Sequence, residues 1–281
     1  MNPLLKKIKE RDALPPLPEI VQRINKKMKD PECAAQDVAM LTLSDPVLVG
    51  RIIKANVSKE KSNWSFTDLK QSIASLECDE IKEMVYSKAV LNLFDNVSKF
   101  DPHNFWRHSL SVAFYSQSLA NIKGLDAEDQ SLAYVAGLFH DIGIMLFIYL
   151  VPGIYETLLS KIADDQTPKK ERKLSIQEEN AFGISHPKLG AAYIKEWWTK
   201  NTTILEAVQN HHQTSSIVSK LSTTTRIVHI ANRYSNSQSI MNGIMVFKEP
   251  FKDETFEMLS LTKKQKSTFK EMASAHLTSV N

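Results

Sequence analysis

The residues best able to do chemistry in this chain are its histidines. Eight are present, several beside apolar residues at helical spacing. His108 follows Trp106-Arg107, and His140-Asp141 interrupts the otherwise apolar "AGLFHDIGIML" (136–146). His186 opens "HPKLGA", His211-His212 closes "ILEAVQNHH", and His229 lies in "IVHIANRY". Burying a carboxylate costs several kcal/mol unless something pairs with it, so Asp141 must have partners. Neutral imidazole and carboxylate suit zinc, iron or manganese. Neighbours on a helix point about 100° apart, so His140 and Asp141 can border one cavity, as can His211 and His212. An aspartate can bridge two ions, and two ions roughly 3.5–4 Å apart suit phosphoester hydrolysis, because they activate water and hold the leaving oxygen. The competing reading makes each histidine a core residue bonded to a carbonyl. His108, His140, Asp141, His186, His211 and His212 are harder to explain singly than as one pocket, but spacing alone leaves both readings open.

The elements that must position these groups are helices. The 281 residues include only 8 glycines, 42% are hydrophobic and 24% charged, and the net charge is +3. Scarce glycine argues against a many-turned β fold. The small charge does not by itself imply a nucleic-acid or membrane partner. Two cysteines, Cys33 and Cys78, match no metal knuckle or disulfide framework, and with an N-terminus lacking a long apolar stretch they point to a reducing, cytoplasmic setting. The run Ala133–Val151 approaches bilayer length, but Asp141 at its middle favours a buried core helix.

Asp30-Pro31 and Asp45-Pro46 each pair a cap residue with proline and read as helix starts. Short helices are expected after Pro18, over 34–43 and 46–56, from Thr67 or Asp68 to Leu76, and from Asp79 to about Phe94. Together they suggest an N-terminal helical subdomain, 1–100. Beyond a polar seam at 96–105, longer helices are expected at 104–122, 126–150, 152–163, 186–199, 203–212, 216–235 and 263–278, forming a bundle over 101–281. Residues 164–173 read as a charged loop and 236–252 as irregular. No β alternation is present, and the fold class is all-α. Trp197-Trp198 could stack on a base but reads more simply as a core aromatic with an exposed neighbour. Arg107 could hold a phosphate or pair with a surface carboxylate.

The fragments "RHS", "HDIG", "HPKLGAA", "NHH" and "HIANR" occur in the order used by HD-superfamily metal phosphohydrolases. "LPPLPEIVQRI", "DPVLVGRIIKANVS" and "FWRHSLSVAFYSQSLA" sharpen the match: from about Leu14 to about Asn236 the chain resembles the HDOD family, the HD-related output domain of bacterial signalling proteins. The resemblance implies an all-helical, HD-like bundle acting as a regulatory module without catalysis, which binds a protein partner or a nucleotide messenger such as a cyclic dinucleotide. The alternative is a metal-dependent phosphohydrolase or phosphodiesterase acting on a phosphoester or cyclic dinucleotide. By resemblance, His108, His140 and Asp141 match the first HD ligands, and His186, His211 and His212 resemble the extra ligands of the HD-GYP branch. One or two divalent ions, iron, manganese, zinc or magnesium, are implied; a membrane span or nucleic-acid partner is not. Three positions depart from the pattern. Asn232 stands where the superfamily closes its ligand set with aspartate, Ile144 stands where HD-GYP enzymes carry lysine, and the GYP element is missing. A neutral amide is a weaker ligand than a carboxylate, and losing the lysine removes a cation suited to phosphate.

Overall fold

The computed structural model describes residues 2–10, 23–24, 26–27, 38, 41–43, 45–58, 97–164, 173–244 and 251–280. Among them are helices and no strand, as the all-α expectation requires. Helix α1 spans Pro3–Glu10 and α2 Pro46–Ser58. Asp45 caps α2 as its pairing with proline predicts: Oδ1 accepts from the amides of Val47 (2.8 Å) and Leu48 (3.0 Å). Residues 38 and 41–43 are helical, within the helix expected at 34–43. The Asp30-Pro31 start, the helices expected between 67 and 94, and most of the loop 164–173 lie outside the described residues.

The bundle begins where Asp101 caps α3 (Pro102–Lys123), which ends at Gly124 with φ 82°. It continues through α4 (Ala127–Phe139), α5 (Ile142–Leu150), α6 (Pro152–Asp164), α7 (Leu174–Phe182) and α8 (His186–Trp197). Then come α9 (Thr202–Asn210), the short α10 (Ser215–Val218), α11 (Thr223–Ser237), a 3-10 helix (Asp253–Leu259) and α12 (Lys263–Val280). Helix α5 is apolar on every side, which suits only a fully surrounded helix, and all its residues but Tyr149 are buried. It lies against α8; α4 and α11 lie against α3, and α9 bridges α8 and α11. The stretch Ala127–Leu150 has the length and apolarity to cross a membrane, but 89% of its apolar window is buried inside the protein. One apolar core joins Leu4 and Ile8 of α1, Val47 to Ile53 of α2, and the faces of α5 and α8. Phe269 of α12 packs edge-on against Tyr115, Tyr234 and Phe256, which seats that basic helix on the bundle. Trp198 is buried while the half-buried Trp197 donates from Nε1 to the Ile8 carbonyl.

Several expected boundaries need correction. The helix expected at 126–150 is two helices, broken at His140-Asp141, and the one expected at 216–235 is α10 plus α11. Helices α1 and α7 and the 3-10 turn were not anticipated. The first break has a local cause. The His140 ring reaches back to the Gly137 carbonyl (2.7 Å), the acceptor a continuous helix would offer the amide of residue 141. Asp141 then sits at φ −101°, ψ 9°, outside helical geometry. Periodicity could not reveal this, because the apolar run is continuous on both sides.

Candidate metal centre

The break turns Asp141 out of the helix and into the middle of the bundle, and two glycines bring its neighbours close. A β-carbon on Gly137 would lie 2.8–2.9 Å from Ser116 Oγ and from backbone atoms of Val112 and Ala113 on α3, the helix that carries His108. One on Gly143 would overlap the His186 backbone carbonyl at the start of α8. Flanking the His-Asp pair, these two positions let α3 approach α4, and α8 approach α5, at backbone distance.

Four imidazoles converge on the one carboxylate. Asp141 Oδ1 lies 3.3 Å from both His186 Nε2 and His211 Nε2; Oδ2 lies 3.3 Å from His140 Nε2 and 3.6 Å from His108 Nε2. His108 and His140 meet Nε2 to Nε2 at 3.1 Å. The half-buried His212 sets its ring tilted beside His211 (4.2 Å between centroids) and edge-on to His186 (5.1 Å). The ligand atoms fall into two sets, Asp141 with His186, His211 and His212, and Asp141 with His108 and His140, each set within 4.8 Å of itself. Residues from α3, the α4–α5 break, α8 and the end of α9 thus meet at one point.

Each ring is aimed by a bond at its other nitrogen. His140 and His211 use the same device: each caps a helix and bonds through Nδ1 to the carbonyl three residues back, Gly137 or Val208, at 2.7 Å. His108 Nδ1 donates to the Ile240 carbonyl (2.7 Å). His186 Nδ1 meets Glu178 Oε2 at 2.6 Å, and the same oxygen accepts the His186 amide (2.7 Å) at the start of α8. Glu178 is buried, and its other oxygen accepts from Tyr155 (2.6 Å). Such bonds fix Nε2 as the ligating atom and orient it.

The electrostatics fit a cation site. Burial opposes charge on Asp141, but His140 and then His186 and His211 hold the carboxyl well below the usual carboxylate range. Burial, together with the neighbouring His140, lowers His108 to about 4 and keeps it neutral. Burial likewise brings His211 to about 4, against the pull of Asp141. His186 is the exception: burial is outweighed by Glu178 and Asp141, which raise it to about 10. A metal must displace that proton. Asp141 Oδ1, His186 Nε2 and His211 Nε2 are buried with no hydrogen bond formed, as atoms that await an ion would be. Tetrahedral ligands about 2.1 Å from an ion lie about 3.4 Å apart, close to the Oδ1 spacings.

Asn232 is buried on α11, three residues from His229, whose Nδ1 bonds the His211 carbonyl, and three from Ser235, whose Oγ touches His108 Nδ1. Both of these neighbours on its helix touch ligand residues, and its own Oδ1 accepts from Asn236 (3.0 Å). Ile144 is fully buried. Arg107 donates to Asn104 on its own helix. Sequence reasoning missed three contributors: Glu178 and Tyr155, which support His186, and Asn242, whose amide donates to Asp141 Oδ2 at 2.8 Å. Only Glu178, a carboxylate eight residues before a candidate ligand, left a usable signal.

The HDOD domain model matches residues 14–214, well over half the chain. The chain belongs to the HDOD domain family. It is 22% identical over 210 residues to an uncharacterized protein of Treponema pallidum, covering 72% of this chain and 38% of that longer protein. Among solved structures it is similar to the MmoQ response regulator of Methylococcus capsulatus (TM-score 0.68, 17% identity, 92% of this chain and 98% of that one). It is also similar to an HDOD domain protein of unknown function from Geobacter sulfurreducens (TM-score 0.56, 22% identity, 99% and 94%). At these identities the shared property is the fold.

Proposed function

We propose that the chain is a regulatory signal-transduction module that holds a divalent metal in its core and uses it for structure rather than hydrolysis. The observation that carries this is one buried carboxylate, Asp141, 1% exposed and ringed by four oriented imidazoles. The donor set suits zinc, iron or manganese. A phosphodiester must reach the ions to react, yet His108, His140, Asp141, His186 and His211 are all 0–1% exposed. The features that would handle such a substrate are replaced: a buried isoleucine stands for the lysine, and Asn232 for a carboxylate. The MmoQ response regulator, similar in fold, supports a signalling role in which a protein partner or nucleotide messenger reads the state of the bundle. The phosphohydrolase reading keeps one observation in its favour, the half-buried His212 at the edge of the ligand set. Tag-free protein loaded with manganese, iron or zinc and assayed on a nitrophenyl phosphodiester and on cyclic dinucleotides tests the choice. Bound metal without turnover is expected; metal-dependent turnover lost in Asp141→Ala would establish the enzyme instead.

A further inference from the structure

The two sides of Asp141 are not equivalent. On the Oδ1 side, His186 Nε2 and His211 Nε2 face the oxygen from 3.3 Å, and none of the three atoms has a hydrogen-bond partner. Their Nδ1 atoms are committed to Glu178 and to the Val208 carbonyl, so nothing within the ring bonds can relieve this cluster. His212 completes a four-member set and is the only half-buried one.

On the Oδ2 side a donor is already in place. The Asn242 amide, 2% exposed, bonds Oδ2 at 2.8 Å, and His108 and His140 lie within hydrogen-bond distance of each other. The loop that carries Asn242 is pinned on both flanks. Ile240 receives His108 Nδ1 (2.7 Å) and Ser235 Oγ (2.9 Å) at its carbonyl, and its amide donates to Ser235 (3.1 Å). The Gly243 carbonyl accepts the Asp101 amide (3.3 Å), and Gly243 holds φ 77° against the Asp101 backbone, where a side chain would overlap. Asn232, three residues from both His229 and Ser235 on α11, accepts at its Oδ1 from Asn236. The Oδ2 side therefore already holds a protein donor, the Asn242 amide, and gains no second carboxylate, whereas on the Oδ1 side the oxygen and two imidazole nitrogens face one another with no hydrogen bond formed.

We infer that the chain binds one divalent cation, through Asp141 Oδ1, His186, His211 and His212, and that Asn242 seals the Oδ2 side against a second. This rests on the metal-binding reading above and adds to it the stoichiometry, the location and a sealing residue. Asn242 acts as a positioning residue: it touches the shared carboxylate and not the ion.

The test is a manganese titration of the tag-free, chelator-stripped full chain, followed by calorimetry and electron paramagnetic resonance. One equivalent with the six-line spectrum of an isolated ion is expected. Two equivalents with an exchange-coupled spectrum would overturn the inference and leave the metal-binding reading standing; no binding would overturn both. His211→Gln should weaken manganese binding at least about tenfold, since it removes a ligand; unchanged affinity would place the ion elsewhere. Asn242→Ala should admit a second, weaker equivalent and broaden the six-line spectrum by coupling; a stoichiometry still at one would overturn the sealing role. Should either variant fail to fold by circular dichroism, the wild-type stoichiometry and spectrum still decide.

Discussion

Replacing Asp141 by alanine removes the group on which the whole centre converges. The side chain is 1% exposed and ionised, with its pKa well below the usual range. His186 opposite it is raised to about 10, so at pH 7 the two form a buried ion pair. Removing one member of such a pair costs roughly 3–5 kcal/mol. His186 keeps Glu178 at 2.6 Å, which places the loss at the low end, about 3 kcal/mol. With metal at a hundredfold excess over its Kd, the wild type gains about 2.7 kcal/mol more, and the variant, lacking the shared ligand, gains nothing. At roughly 2–4 °C per kcal/mol for a large domain, Tm should differ by about 6–12 °C in excess chelator and by about twice that in excess manganese. Scanning calorimetry of both proteins under both conditions reads the four values. An equal gap with and without metal would show that Asp141 does not hold the ion, and no gap in chelator would show that it is not charge-paired.

Three further outcomes follow from the same geometry. In chelator, His108 and His211 have folded pKa values of about 4 against an ordinary value of about 6.5. The unfolded chain therefore binds more protons between these values, and stability should fall as pH drops from about 6.5 to 4, with roughly 3 kcal/mol at stake per ring. His186 acts oppositely: its contribution is complete below about 6.5 and is lost as pH rises through about 10, so urea midpoints should peak near neutrality and fall on both sides. A midpoint that climbs steadily to pH 10 contradicts the His186 assignment. Glu178→Gln, which keeps the size but loses the charge behind His186, should weaken metal binding by about 10–100-fold in a calorimetric titration; unchanged affinity would reduce Glu178 to a helix cap. Gly143→Ala forces a methyl into the His186 backbone, so it should destabilise by about 1–3 kcal/mol and also lower metal affinity as α5 and α8 separate. Lost stability with intact affinity would mean that the centre tolerates that shift.

Much of the bundle was legible because its helices carry their own signals. Asp45 before Pro46 caps α2, and Thr262 with Gln265 forms the reciprocal cap at the start of α12, whereas the Asp101 cap starts α3 inside the expected seam 96–105. The site members His108, His140, Asp141, His186, His211 and His212 were legible as types, and the structure brings all six together. What escaped reading is long-range or made of ordinary residues. Glu178 sits on a helix whose polar sequence gave no core stripe, and its partner Tyr155 lies across the bundle. Asn242 lies in a polar irregular stretch, 101 positions from the aspartate it bonds, where an asparagine is unremarkable. Nor can spacing show that Asn232 points its oxygen at Asn236.

The most direct test of a metal-holding core is the metal content of tag-free protein, measured by mass spectrometry on wild type and on Asp141→Ala purified side by side. The arrangement of Asp141 among His108, His140, His186 and His211 predicts a transition metal retained near stoichiometry in the wild type and lost in the variant. Wild-type protein that emerges without metal and takes up none on incubation with manganese, iron or zinc would contradict it.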